Sequence, residues 1–219
     1  MKGNQKKHFC GAALLVAAFV LWTAAVCLVD VQPIGPQGSL VGLATVNRFF
    51  HERTGVHMAL YTLTDWLSLV PLGGVVGFAL LGLIQWIRRG SLTRVDGSLF
   101  VLGGFYLAVI AVYGFFECWV VNYRPVLIEG VLEVSYPSST TMLVMCVMPT
   151  AVMQLNGRIE NSMLRKEIAG SMTVYTVFMV VGRLLSGVHW LTDIIGGGLI
   201  SAGLVMTYAG LIAGLRRES

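Results

Sequence analysis

The stretch GRLLSGVHWLTD, residues 182–193, sets an arginine, a histidine and an aspartate close together between two long apolar segments. The whole chain is 56% hydrophobic and only 12% charged, whereas soluble domains carry roughly 25% charged residues. With a mean hydropathy of +0.76, the sequence reads as an integral membrane protein. In such a chain every ionisable group within or beside an apolar segment needs a reason.

A helix crossing the hydrocarbon takes about 20 apolar residues. On that measure six spans are expected, at 9–29, 66–87, 99–120, 139–155, 169–186 and 191–215. The first run follows Lys2, Lys6 and Lys7, yet it exceeds the roughly 7–15 residues of a signal-peptide core and ends without a small-residue cleavage site. It is read as a retained first helix, and the chain as one membrane domain, 1–219.

Cytoplasmic loops collect lysine and arginine. Lys2, Lys6 and Lys7, then Arg88, Arg89 and Arg94, then Arg158, Arg165 and Lys166, and finally Arg216 and Arg217 all fall on one side of a six-span chain. Only Arg48, Arg53, Arg124 and Arg183 fall on the other. Both termini are therefore expected in the cytoplasm. Topology accounts for the net charge of +4, and no nucleic-acid partner is expected.

Segment 30–65, between the first two spans, opens with the turn-rich VQPIGPQGS. Its helically spaced Leu40, Leu43, Val46 and Phe50 predict a short helix at the outer interface. His51 and His57 are six apart, which on a helix points them about 120° from one another, so they read as surface histidines. Cys10, Cys27, Cys118 and Cys146 have no metal-site spacing and read as small buried hydrophobes. No metal or cofactor is expected. Gly73-Gly74, Gly103-Gly104 and Gly196-Gly197-Gly198 read as helix-packing sites.

Under the six-span topology four helix ends bring polar groups to the same outer face: 117–124, 137–140, Arg183 and His189. His189 and Asp193 are four apart and would share a helix face. A carboxylate there takes the proton of one imidazole nitrogen and leaves the other as a lone-pair nucleophile or base. Arg183 converges on them only if the chain turns, and Ser186-Gly187 supplies a turn.

Arg183, five residues, His189, three residues and Asp193 together resemble the third motif of the phosphatidic acid phosphatase type 2 superfamily, membrane lipid phosphatases related to vanadium haloperoxidases. Gly182 stands where that motif has serine. Tyr123-Arg124-Pro125 resembles the end of the first motif, Lys-x6-Arg-Pro, and Tyr136-Pro137-Ser138-Ser139-Thr140 the second, Pro-Ser-Gly-His. The motif region runs 117–193. The resemblance implies an all-α bundle of six transmembrane helices with a short extracytoplasmic helical segment, in a bacterial cell membrane.

It also implies a reaction. His189 would attack phosphorus to form a phosphohistidine, Asp193 would orient it, and Arg124 and Arg183 would hold the phosphate oxygens. Ser138 and the backbone around Ser139 would complete the cradle. The substrate would be a phospholipid or an isoprenoid phosphate or diphosphate among the membrane lipids, hydrolysed at the extracytoplasmic face.

Two positions depart from the pattern. The first-motif lysine falls at Glu117, and the second-motif histidine, the general acid, falls at Thr140, whose hydroxyl is too weak an acid for that task. Glu117 and Arg124 are seven apart, so on one helix both would point the same way. A buried, protonated Glu117 would then partly replace the missing acid. Three readings follow: a phosphatase favouring a good leaving group, a silent relative that binds a phospholipid or a partner, and a transferase that moves a lipid head group. A channel is disfavoured, because the polar groups gather at one face instead of crossing the midplane.

Overall fold

The computed structural model describes residues 2–215, all in helices and connecting loops. Arg216 and Arg217, counted above in the charge pattern, lie outside the described residues. The helices are α1 (Lys2–Leu28), α2 (Ala44–Thr54), α3 (Met58–Leu67), α4 (Leu69–Arg89), α5 (Gly97–Cys118), α6 (Ser139–Asn156), α7 (Ser162–Leu185) and α8 (Leu191–Leu215). Among the described residues five stretches are long and apolar enough to cross a bilayer: Gly3–Leu28, Met58–Arg89, Gly97–Cys118, Ser162–Leu185 and Leu191–Leu215. The chain is an integral membrane protein.

Packing places α8 at the centre, with α1 lying along it and α5, α6 and α7 around it. Small residues set how close α1 comes. A side chain at Gly203 would meet Val16, and one at Gly210 the ring of Phe9, each at 3.0 Å. Leu102, Phe105 and Tyr106 of α5 pack with Cys146 and Val147 of α6 and Tyr208 and Ile212 of α8. A second cluster joins Phe19, Phe116 and Tyr136, whose rings lie 5.6–6.3 Å apart. Aromatic pairs at such distances contribute about 0.5–1.5 kcal/mol each.

The two ends of the bundle differ in chemistry. At one end Asp96 binds Arg89 at 3.0 Å and Arg158 at 3.3 Å, gathering the end of α4, the start of α5 and the end of α6. Leu215 lies beside Gly97 there, and Gln5 beside Gly214. At the other end Trp22 donates to the Thr192 carbonyl at 3.1 Å, and α2 packs against the start of α8.

Several expectations need correction. Residues 58–65 do not belong with the outer segment 30–65: α3 runs into α4 as one helical stretch, Met58–Arg89. In 30–65 the helix starts at Ala44, with Leu40 before it and Leu43 at its N-cap in a left-handed conformation. His57 is exposed, but His51 is half buried, its ring 5.4 Å from that of Trp190. Of the four cysteines Cys146 is buried, whereas Cys10 and Cys118 face outward. Gly73, Gly103 and Gly104 face open space, so the close approach lies at Gly196 and Gly197, against Tyr136 and the Ser138 carbonyl.

The turn between α7 and α8 is present where expected. Gly187 has φ +69°, and a Cβ there would fall 2.0 Å from the Gly55 carbonyl oxygen. Gly187→Ala is expected to cost at least about 1–3 kcal/mol of stability through backbone strain, with the clash adding to it. Gly103→Ala, which meets nothing within 4 Å and improves helix propensity, is expected to leave the midpoint unchanged or raise it. Thermal denaturation of the two variants in detergent checks both.

Candidate active site

The site is assembled by the loop 119–138, the α7–α8 turn, the start of α6, and α3. The loop folds back on itself as a hairpin: Arg124 N donates to Glu133 O at 3.0 Å, and Ser135 N to Asn122 O at 2.9 Å. Its tip turns at Glu129 and Gly130, both with positive φ. This pairing puts Asn122, Arg124, Glu133 and Ser135 at the mouth of the bundle.

Asp193 begins the site. Helix α8 starts at Leu191, so the carboxylate sits in its first turn and accepts from Trp190 N at 2.9 Å. That is the carboxylate half of a capping box. Its other oxygen accepts from Asn122 Nδ2 at 3.1 Å, and the Ser135 hydroxyl donates to Oδ2. His189 precedes the helix, so the two residues share no helix face. Nδ1 lies 3.8 Å from Oδ2, beyond hydrogen-bond length, with Ser135 Oγ 3.0 Å from Nδ1.

His189 is 3% exposed and its Nε2 has no partner. Burial pushes its pKa down to about 4; Asp193 opposes this, and the positive charges of Arg124 and Arg183 reinforce it. The imidazole is therefore neutral at pH 7.

Both arginines are buried and each is paired with a more exposed carboxylate. Arg124 Nε lies 2.9 Å from Glu133 and Arg183 Nη2 lies 3.1 Å from Asp65. Arg183 also donates to the Thr140 hydroxyl at 2.5 Å and to Thr64 Oγ1 at 3.4 Å. The Tyr61 ring lies 4.8 Å from the Arg183 guanidinium and 5.9 Å from that of Arg124. Arg124 Nη1 and Arg183 Nε are buried without partners. Unmet guanidinium donors of this kind are what a site built for an anion leaves open, and His189 Nε2 is unmet in the same locality.

A cavity of ≈ 370 Å³ carries both arginines, Asp65, Ser139 and Thr140 at its polar end. Leu72, Val109, Ile110, Met142 and Leu143 line the rest. Its walls therefore combine a charged end with an apolar flank. His189 is not on those walls.

The other expected residues divide. Ser139 lines the cavity, but the Ser138 hydroxyl caps α6 by accepting from Thr141 N at 3.5 Å. Glu117 does not share a helix face with Arg124, because α5 ends at Cys118. It is exposed and interacts with Tyr113, so it lacks the burial a donor role requires. The acid beside Arg124 is Glu133. Sequence reasoning missed Glu133, Ser135 and Asn122, and also Tyr61, Thr64 and Asp65 of α3. At Gly182 a Cβ would lie 2.8 Å from Thr64 Cγ2, so glycine there admits α3 to the site.

The model of the PAP2 superfamily matches residues 101–214. The chain belongs to the PAP2 superfamily. Among solved structures, this PAP2 chain is similar to the crystal structure of the first transmembrane PAP2 type phosphatidylglycerolphosphate phosphatase from Bacillus subtilis. The match has a TM-score of 0.56 and 20% identity, covering 95% of this chain and 96% of that one, and it shows a shared fold. No curated protein sequence matches closely enough to count as a relative.

The depressed pKa of His189 makes a pH prediction. An unfolded PAP2 chain takes up this proton below about pH 6.5, the folded one only near 4, so stability is lost as pH falls from 6.5 toward 4. Thermal melting across that window is expected to show the loss, reduced in His189→Gln. Removing one clamp carboxylate, in Glu133→Gln, is expected to tighten inorganic phosphate binding about two- to fivefold, the worth of a partly exposed ion pair. Titration calorimetry at low salt measures it.

Proposed function

We propose that this chain, as one domain spanning 1–219, is a membrane phosphatase that hydrolyses a lipid-linked phosphate or diphosphate through a phosphohistidine. The observation that carries the reading is the group of unmet buried nitrogens: His189 Nε2, Arg124 Nη1 and Arg183 Nε. A phosphoryl group supplies the oxygens both arginines lack and brings phosphorus toward a neutral imidazole.

In the reaction the Nε2 lone pair bonds to phosphorus and the bond from phosphorus to the leaving oxygen breaks, its electrons going with that oxygen. Water then attacks the phosphohistidine, releases phosphate and restores the imidazole. Arg124 and Arg183 hold the oxygens on which charge builds, contacts worth about 10²–10³ in rate for a single donor. Thr140 stands where the resemblance puts the acid, and its hydroxyl accepts from Arg183, so the leaving oxygen departs without a strong acid. A diphosphate suits this site, since a leaving phosphate needs no such help. The apolar cavity wall suits an acyl or isoprenoid chain.

The placement in the membrane belongs to the same proposal. Helix α6 is the sixth span: its 18 residues rise about 27 Å, and its neighbours shelter it from lipid. The end rich in lysine and arginine faces the cytoplasm with both termini. Segment 30–57, the outer ends of the motif region at 117–140 and 183–193, and the site then lie at the extracytoplasmic face of a bacterial membrane.

A second reading has its own support. His189 lies off the cavity wall, and each arginine already has a carboxylate partner, features that suit a protein binding a phospholipid without turning it over. Phosphate release by purified protein from phosphatidic acid, phosphatidylglycerol phosphate and undecaprenyl diphosphate separates the two. Release is expected, fastest from the diphosphate, and is expected to vanish in His189→Ala. Lipid binding that survives His189→Ala, with no release by the wild type, would replace the phosphatase with the binding protein.

A further inference from the structure

The carboxylate expected to orient His189 does not touch it. At 3.8 Å the separation of Nδ1 and Oδ2 exceeds hydrogen-bond length. Ser135, itself 2% exposed, stands between them, with Oγ 3.0 Å from Nδ1 and 2.5 Å from Oδ2. We infer that Ser135 is a positioning residue that fixes the tautomer of His189 and couples its imidazole to Asp193. This rests on the reading of His189 as the residue that accepts phosphate.

The tautomer follows from counting protons. A serine hydroxyl has one to give, and a carboxylate oxygen can only receive it. Ser135 therefore donates to Asp193 and uses a lone pair to accept from His189, which puts the ring proton on Nδ1. Nε2 is left with its lone pair free, and Nε2 is the ring atom without a partner. When Nε2 bonds to phosphorus the ring gains positive charge and keeps its Nδ1 proton. The hydroxyl then carries that charge's hydrogen bond on to the carboxylate.

Without the hydroxyl no hydrogen bond holds the proton on Nδ1. Asp193 would keep Asn122 and the Trp190 amide as donors, so the α8 start stays anchored while the imidazole loses its guide. A hydrogen bond to a charged ring is worth about ten- to hundredfold in an equilibrium or a rate. Loss of that order in turnover is the expected effect of Ser135→Ala.

The experiment is nitrogen NMR of protein labelled with 15N-histidine in detergent micelles at pH 7, with His189→Gln assigning the signal. The wild type is expected to show Nδ1 protonated and Nε2 bare. Ser135→Ala is expected to show mixed tautomers or protonated Nε2, and Ser135→Thr, which keeps the hydroxyl, to restore the single form. A wild-type spectrum with protonated Nε2 overturns the inference before any variant is made, and an unchanged tautomer in Ser135→Ala does the same. The spectrum does not depend on turnover. A tautomer that shifts in a protein releasing no phosphate would sink the phosphatase and leave the relay standing. His189-dependent release with an unshifted tautomer would do the reverse.

Discussion

A carboxylate buried away from water is costly unless its oxygens are met by donors, and Asp193 is fully buried. Its donors come from three places: Asn122 on the outgoing arm of the hairpin, Ser135 on the returning arm, and the Trp190 amide at the head of α8. Meeting this one group therefore sets the hairpin's position against the helix. The attachment spreads through neighbouring atoms. The Asp193 carbonyl accepts from Ser138 N at the head of α6, and the Thr192 hydroxyl accepts from Asn47 of α2 at 3.0 Å. A negative group in the first turn also suits the positive end of the α8 dipole. The same arrangement that satisfies the carboxylate leaves His189 Nε2 bare.

The apolar helices were legible because a bilayer requires every backbone polar group to be met inside its own segment. Long apolar runs then have one solution. The turn at Gly187 was legible for a related reason, since it is a local feature, whereas the shared helix face expected of His189 and Asp193 was lost because α8 begins only at Leu191. The hairpin was not legible. The reading that put Glu117 and Arg124 on one face extended the helical period beyond Cys118, where the chain leaves the helix. What replaces it is a pairing between Arg124 and Glu133, nine residues apart, and neither helical period nor hydropathy fixes such a register. The acid beside Arg124 was misassigned for that reason alone.

Helix α3 shows a signal that was present and unused. Tyr61, Thr64 and Asp65 are spaced three and four apart, so on a helix they form one face. That face meets Arg183. Treating Asp65 as the end of the outer segment hid the stripe, since the polar residues were counted as boundary instead of as a side. Gly182 gave the complementary hint. Position 182 lacks a side chain because Thr64 fills the space beside it, so the departure at one motif position and the hidden helix are a single packing fact.

The clamp's two ion pairs join stability to ligand choice. Side chains of Arg124 and Arg183 are 10% and 3% exposed, while their partners Glu133 and Asp65 are 40% and 56% exposed. A buried guanidinium with no partner would be strongly unfavourable, so the carboxylates hold the site together. Being half in water, they are displaced at little cost, because rehydration offsets the contact they lose. Ligand binding under the proposed reading is then an exchange of one anion for another at each arginine. A singly charged phosphodiester gains little by replacing a carboxylate of equal charge. A phosphate dianion or a diphosphate brings more charge and more oxygens, enough to reach the unpartnered Arg124 Nη1 and Arg183 Nε as well. Under the proposed reading the carboxylates that stabilise the arginines thus set a threshold, and a ligand crosses it by density of charge at the head group, with the apolar wall left to recognise its chain.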